Sequence, residues 1–307
     1  MAAPTNSNLT MTPYAWGMLV TLSIVWGGTF FFQEIAVQEL PVFTIVSIRV
    51  LIAALLLWAV TALTGNTLPS GLKIWAALFL LALVNNVIPF TLIVWGQQEI
   101  SSGLAAILNA TVPLFTVLIA HFVTTDEKLT RTKFAGVIIG LFGVIVIIGE
   151  DALEGIGIAV LAQLAVLVAS LAYTFGGLYG RKIQAMGLTP LGISTGQLIA
   201  SSVILIPVAL LADEPWTLSL PGTEIIIAVI ALASVSTAFA YILFFRILAT
   251  AGATNLMLVT FLIPVSALAL GILILGEVLE TRHIVGLLCI GAGLAAIDGR
   301  LLRKLPG

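Results

Sequence analysis

The chain has 307 residues, of which 60% are hydrophobic and 8% are charged, with a formal net charge of −2. Ordinary soluble domains carry about 25% charged residues, so this composition excludes a soluble globular protein. It predicts an all-α polytopic membrane protein whose surroundings are the lipid bilayer. No basic tract is present, and we expect no nucleic-acid partner.

A helix needs roughly 20 apolar residues to cross the hydrocarbon layer. The chain contains ten such runs, separated by charged or turn-rich connections, so we predict ten transmembrane helices. We place them at residues 13 to 35, 41 to 63, 72 to 95, 101 to 123, 132 to 150, 156 to 180, 188 to 211, 223 to 247, 252 to 275 and 282 to 300.

The first run is expected to stay in the mature protein, because no Lys or Arg precedes it and no clear cleavage site follows it. Cys289 is the only cysteine, which excludes an intrachain disulfide and a cysteine metal cluster. His121 and His283 fall near the ends of runs and have no companion ligand. We therefore predict neither a cofactor nor a metal.

Two stretches beginning at Glu127 and Glu277 are alike, with a common offset of 277 − 127 = 150. Their glycines keep this offset, in the pairs Gly136 and Gly286, Gly143 and Gly293, and Gly149 and Gly299. Other correspondences agree to within a residue, such as Phe90 with Phe239 and Pro113 with Pro264. We predict two five-helix repeats, residues 1–150 and residues 151–307.

Lys and Arg mark cytoplasmic connections, and they are unevenly divided here. With alternating connections, one side collects ten of the 12 basic residues, namely Lys73, Lys128, Arg131, Lys133, Arg181, Lys182, Arg246, Arg300, Arg303 and Lys304. Only Arg282 falls on the other side. Both termini are therefore predicted to be cytoplasmic, and the odd number of spans in each half makes the repeats inverted.

Several features together resemble the drug/metabolite transporter superfamily, specifically its ten-span EamA-type exporters. They are Trp-Gly-Gly-Thr-Phe at 26 to 30, Pro41 followed by Arg49, Ser-Ser-Gly-Leu-Ala-Ala at 101 to 106, and the two glutamate segments. The resemblance covers nearly the whole chain and is strongest to the YddG-type amino-acid exporters. It implies an inner-membrane exporter of metabolites. The chain departs from the pattern where Thr125 and Asp126 stand in place of the glycine found at Gly276.

Polar side chains in the middle of a span must find partners or line a cavity. The amide candidates are Asn85, Asn86, Asn109 and Gln163, and each can bond a neighbouring helix or contact substrate. Aromatic rings accompany them in the first, third, sixth and eighth spans. We predict a central cavity bounded by the first, third, fourth, sixth, eighth and ninth spans, with ring candidates Trp26, Phe30, Phe90, Trp95, Tyr173, Tyr179, Phe239 and Tyr241.

Pro113 and Pro264 break the hydrogen bonding of the fourth and ninth spans. They can act as paired hinges for alternating access or as plain packing kinks. Arg49 is the strong base deep in a span. It can contact an anionic group of a substrate, or it can tie its helix to backbone carbonyls.

No Asp or Glu lies in the middle of any predicted span, which disfavours proton-coupled export of cationic drugs. The leading hypothesis is export of amino acids, neutral or aromatic. The alternative is efflux of a drug or toxic cation. We expect no enzyme: Gly-Ile-Ser-Thr-Gly at 192 to 196 matches a hydrolase pattern, but that motif needs a strand-to-helix turn and here lies within a predicted helix. The sequence leaves the oligomeric state open, with a monomer favoured.

Overall fold

A computed structural model describes residues 11–124, 128–153 and 157–298. Within these residues every regular element is helical. Ten helical segments follow in order: α1 Pro13–Ala36, α2 Val42–Leu63, α3 Leu72–Gly96, α4 Ser102–Val123, α5 Arg131–Leu153, α6 Ile158–Gln184, α7 Pro190–Ala212, α8 Thr223–Ala251, α9 with parts Ala253–Leu256 and Val259–Ile274, and α10 Thr281–Asp298.

The observed helices agree with the spans predicted from the sequence to within a few residues at most ends. Nine of the helices in the described part of the chain are long and apolar enough to cross a membrane. The exception is α9, because its longer part, Val259–Ile274, has only 16 residues. The all-helical polytopic fold is thus confirmed.

Several helices begin at a capping residue that the sequence supplies. The hydroxyl of Thr12 accepts a hydrogen bond from the Ala15 amide at 3.1 Å, immediately before α1. Thr189 caps α7 in the same way through the Gly192 amide at 3.1 Å. A side-chain oxygen at this position satisfies an amide that has no partner within its helix.

Four helices are interrupted, three of them near the middle and α9 after its first turn. The backbone forms π-helical turns at Leu83–Val87 in α3 and at Ser234–Phe239 in α8, which is an offset of 234 − 83 = 151. A non-helical turn divides α4 at residues 110 and 111, and another divides α9 at residues 257 and 258. Such interruptions are common at functional sites, and here they fall in the third and fourth helix of each half.

The two prolines do not lie at equivalent places. Pro113 is the second residue after the break in α4. Pro264 lies inside the longer part of α9, which continues through it, and the break in that helix comes about two turns earlier. The expectation that Pro264 interrupts its helix is therefore wrong, because the helix continues through Pro264 and the break lies at residues 257 and 258.

Helix packing follows largely the same pattern in both halves. α1 packs against α8 and α9, and α6 packs against α3 and α4. α3 packs against α7, and α8 packs against α2. The helices also pack in the pairs α2 with α7, α5 with α10, and α4 with α9. Exchanging each helix with the one five places along maps these pairs onto one another, whereas the contacts of α4 with α1 and with α5 have no counterpart of similar extent in the second half.

Glycines bring α5 and α10 into backbone contact. A Cβ atom on Gly136 would lie 2.6 Å from the carbonyl oxygen of Gly293, and one on Gly143 would lie 2.7 Å from that of Gly286. The sequence repeat equates Gly136 with Gly286 and Gly143 with Gly293. The repeat therefore maps the contact of Gly136 with Gly293 onto the contact of Gly286 with Gly143, and such reciprocal contacts are typical of a two-fold interface.

Carboxylates from one half cap helices of the other half at one end of the bundle. Glu277 accepts hydrogen bonds from the amides of Ser102 and Gly103, at 2.8 and 3.0 Å, where α4 begins. Asp213 accepts from the amide of Thr44 at 2.6 Å, near the start of α2. Glu39 accepts from the amide of Gly222 at 2.7 Å, directly before α8. We call these three contacts the carboxylate clasp.

Candidate functional site

A cavity of about 590 Å³ occupies the centre of the bundle. Its wall includes α2 and α7 in addition to the six predicted helices. The wall is mostly apolar and aromatic, with a few polar groups, as is usual for small-molecule sites. Its rings are Trp26, Phe30, Phe90, Tyr173, Tyr241, Phe244 and Phe245.

Arg49 reaches this cavity from the middle of α2 and is 4% exposed. Its Nε donates a hydrogen bond to the hydroxyl of Thr237 at 2.9 Å, in the π-helical turn of α8. Its guanidinium carbon lies 3.6 Å from the centre of the Phe90 ring, which is a cation–π arrangement. Through these two contacts Arg49 joins α2 to α8 and to α3.

A chain of hydrogen bonds crosses the cavity wall from α3 to α8. Asn85 Nδ2 donates to Gln197 Oε1 at 3.2 Å, and Gln197 Nε2 donates to the hydroxyl of Tyr241 at 3.0 Å. Asn85 Nδ2 also lies 3.4 Å from Asn86 Oδ1. These residues come from three helices, and the chain fixes which side of each helix faces the cavity.

Other polar groups of the wall have no hydrogen-bond partner within the described part of the chain. They are the hydroxyl of Thr29, both amide atoms of Gln33 and Oδ1 of Asn109. Gln33 is fully buried. A buried amide without a partner costs free energy.

The cavity is open at one end. Arg181 and Gln184, at the end of α6, line it and are exposed to solvent. At the other end its wall residues Phe30 and Gln33 are buried. Beyond them Gln97 donates through Nε2 to the Phe30 carbonyl at 2.8 Å and to the Glu34 carboxylate at 3.1 Å, which joins α3 to α1. The carboxylate clasp lies at this closed end.

The structure brings many of the predicted site residues together. The residues that line the cavity are Trp26, Phe30, Arg49, Asn85, Phe90, Asn109, Tyr173, Tyr241 and Pro264. Pro113, one of the two predicted hinge residues, is buried just after the break in α4.

Besides Pro113, five predicted residues do not line the cavity, and Phe239 is the fifth of them. Asn86 is fully buried beside it, and its carboxamide bonds Asn85. Gln163 is 1% exposed and lies within the helix packing. Tyr179 packs against a separate apolar cluster around Leu78 and Ile183. Trp95 lies near the end of α3, two residues after Ile93, the last cavity residue of that helix.

Phe239 is 45% exposed and points away from the cavity. It lies two residues beyond Thr237, and residues two apart fall on different faces of a helix. The offset of 151 given by the π-helical turns matches Phe90 with Tyr241 instead, since 90 + 151 = 241, and both of these rings line the cavity.

Several polar wall residues, among them Thr29, Gln33 and Gln197, were absent from the predicted set. The signal that could have found Gln33 and Gln197 is the cost of an amide in hydrocarbon, which applies to them as it does to Asn85. Gln197 lies in a span that was not assigned to the cavity. Gln33 lies close to the end of its span, where an amide can reach water.

The serine of the Gly-Ile-Ser-Thr-Gly motif lies within α7, and its hydroxyl bonds the carbonyl of Pro190 at 3.1 Å. This is ordinary helix geometry and not the sharp turn of a hydrolase nucleophile. The described residues contain no group of three or more potential metal ligands.

An all-helical polytopic membrane protein with an open central cavity is the architecture of a small-molecule transporter. The family model "EamA-like transporter family" matches the chain twice, at residues 14–149 and 160–297. The chain therefore belongs to the EamA-like transporter family and contains two repeats of its model.

Individual proteins are similar over most of their length. "Uncharacterized inner membrane transporter YedA" of Escherichia coli (strain K12) is 32% identical over 273 residues, which is 86% of this chain and 84% of that protein. "Probable amino-acid metabolite efflux pump" of the same organism is 26% identical over 287 residues, covering 91% and 93%. A solved crystal structure has a TM-score of 0.67 at 18% identity and covers 95% of this chain and 99% of its own. That likeness concerns the fold.

Proposed function

We propose that the protein is an inner-membrane exporter of small metabolites, and that neutral and aromatic amino acids are its substrates. The observation that carries the proposal is the central cavity, which combines aromatic rings with amide and hydroxyl groups. Two relatives support the setting, one named as an inner membrane transporter and one as a probable amino-acid metabolite efflux pump.

The charge of the wall favours amino acids over cationic drugs. Among the described residues that line the cavity there is no Asp or Glu, whereas Arg49 and Arg181 are both present. A permanent cation inside the cavity would meet the positive charge of Arg49 and no carboxylate of the wall. A zwitterion or neutral molecule can use the amides and rings instead.

The open and closed ends of the cavity support transport by alternating access. With basic connections cytoplasmic, the open end at Arg181 faces the cytoplasm, and the carboxylate clasp closes the outer end. The two halves are then inserted in opposite directions, with both termini cytoplasmic. Rocking of α3 and α4 against α8 and α9, all of which are interrupted near the cavity, would open the outer end.

The proposal is tested by efflux from cells that express the protein. Cells are preloaded with radiolabelled phenylalanine or with tetraphenylphosphonium, a lipophilic cation, and the loss of label is followed over time. We expect expression to increase phenylalanine efflux several-fold and to leave cation efflux unchanged. Faster efflux of the cation alone would overturn the proposal in favour of drug efflux.

A variant that fills the cavity shows whether this site is the path. Gly177 lines the cavity, and a Cβ placed there meets no atom within 4 Å. Gly177→Trp should abolish phenylalanine efflux. Gly291→Trp is the control, because Gly291 also has space for a side chain and is not part of the cavity wall. Its efflux should match that of the wild type.

A further inference from the structure

Arg49 is a buried cation whose contacts in the structure are incomplete. Its Nε donates a hydrogen bond to the Thr237 hydroxyl, and one face of the guanidinium lies over the Phe90 ring. No carboxylate among the described residues lies within 4 Å of it, and the ion pair between Arg282 and Glu280 lies away from the cavity. The group nevertheless lines the cavity.

A charge removed from water is costly unless it is paired. A hydroxyl and an aromatic ring compensate part of that cost, but they leave the Nη1 and Nη2 donors for another partner. A planar guanidinium with these two groups free matches the two oxygens of a carboxylate. Because the face and Nε are already fixed, the donors are held in position before a ligand arrives.

We propose that Arg49 binds the carboxylate of the transported metabolite and so restricts the protein to substrates that carry one. This inference rests on the proposed function and names the feature by which the site selects its substrate. The proposed contact also gives a reason for the fixed position of the guanidinium, which α3 and α8 hold in place. A donor pair that is already fixed loses less entropy when a ligand binds.

The rest of the wall fits the remaining parts of an amino acid. Oδ1 of Asn109 and Oε1 of Gln33 are acceptors without a partner among the described residues, and an ammonium group carries three donors. Trp26, Tyr173 and Phe244 supply apolar surface for a side chain. The carboxylate contact does not depend on these groups, so it can be tested separately from them.

Binding to the purified protein in nanodiscs, measured by calorimetry, tests the proposal with two ligand pairs. The first pair is phenylalanine and its amide; the second is 3-phenylpropionate and its amide, which lack the ammonium group. We expect the wild type to bind each acid roughly tenfold or more tightly than its amide. Arg49→Gln should weaken binding of the acids by a similar factor and leave the amides unchanged.

Two further variants separate binding from a structural role. Arg49→Lys keeps the charge and loses the paired donors, so its preference for acids should be intermediate. Arg246→Gln removes a charge from an exposed position outside the cavity and should leave the preference intact. Equal weakening of acid and amide in Arg49→Gln would show that Arg49 only holds the helices together, and would overturn the proposal.

The outcomes also distinguish this inference from the proposed function. Binding of 3-phenylpropionate that depends on Arg49, without binding of phenylalanine, would sustain the carboxylate contact and refute the amino-acid substrate. Export of phenylalanine with no preference for acid over amide would refute the contact alone. No binding of either acid by the wild type would overturn both.

Discussion

Glu277 shows how one side chain can link the two halves of the chain. Its carboxylate accepts hydrogen bonds from two successive amides at the start of α4, where the helix dipole also favours a negative charge. α4 belongs to the first half and Glu277 to the second. If the outer end of the cavity opens during transport, this contact is one that must break.

Removing the charge of Glu277 should weaken the closed outer end. We expect Glu277→Gln to increase labelling of a cysteine at Thr29, in a Cys289→Ala background, by an impermeant maleimide added from outside. The physical reason is that an amide is a weaker acceptor than a carboxylate at a helix N-terminus. Unchanged labelling would mean that the clasp does not control this end.

Glu99→Gln is the matched control for that measurement. Glu99 lies in the connection that precedes α4, and its side chain is exposed. Substitution there removes the same charge from the same face of the molecule without touching the clasp, so labelling at Thr29 should remain at the starting level.

At the residue scale, the sequence identified most of the cavity but not its exact wall. Amides and rings in the middle of spans could be predicted, because each is costly in hydrocarbon. The face of the helix on which each side chain lies could not be predicted. The reason is that α3 and α8 contain π-helical turns, which rotate every later side chain around the helix axis. The exposed position of Phe239 and the inward position of Tyr241 are the result.

At the scale of elements, α5 and α10 form a pair that lies outside the cavity wall. Their closeness depends on glycine, because backbone atoms of α10 occupy the space where side chains of α5 would be. A Cβ on Gly143 would meet the carbonyl oxygen of Gly286 and the amide nitrogen of Ile290, at 2.7 and 3.1 Å. Backbone atoms cannot rotate away as a side-chain end can.

We therefore expect Gly143→Ala to lower the thermal unfolding temperature of the detergent-solubilised protein, by several degrees. Overpacking of this kind costs about 1–3 kcal/mol. Gly149→Ala in the same helix is the control, since a Cβ there meets no atom within 4 Å and alanine favours a helix more than glycine does. Equal unfolding temperatures for both variants would contradict the close contact.

The glycine pairing was visible in the sequence only as a repeat. The offset of 150 equated Gly136 with Gly286 and Gly143 with Gly293, but it did not show that these residues touch. The contacts are seen only in the structure, where Gly136 meets Gly293 and Gly143 meets Gly286. The corresponding comparison of Glu127 with Glu277 cannot be made, because residue 127 lies outside the described residues.

At the scale of the whole molecule, the proposed orientation follows from charge, and labelling can test it. Single cysteines at Lys128 and Glu280, each in a Cys289→Ala background, are treated with an impermeant maleimide outside intact cells. Both positions are in connections, and Glu280 is 55% exposed. We expect labelling at position 280 alone, because position 128 would face the cytoplasm.

Labelling at position 128 alone, or at both positions, would refute the inverted arrangement. A permeant maleimide serves as the control for reactivity, and it should label both cysteines in the same cells. The ten-helix fold and its two repeats would stand in either case, since they rest on the helices and on the two family matches.

The central claim is that the cavity carries amino acids across the membrane, and counterflow in proteoliposomes tests it most directly. Liposomes are loaded with unlabelled phenylalanine and diluted into a trace of labelled phenylalanine. We predict a transient accumulation of label with the wild type and with Gly291→Trp, and none with Gly177→Trp. A wild-type protein that accumulates no label with phenylalanine or any other neutral amino acid would contradict the claim.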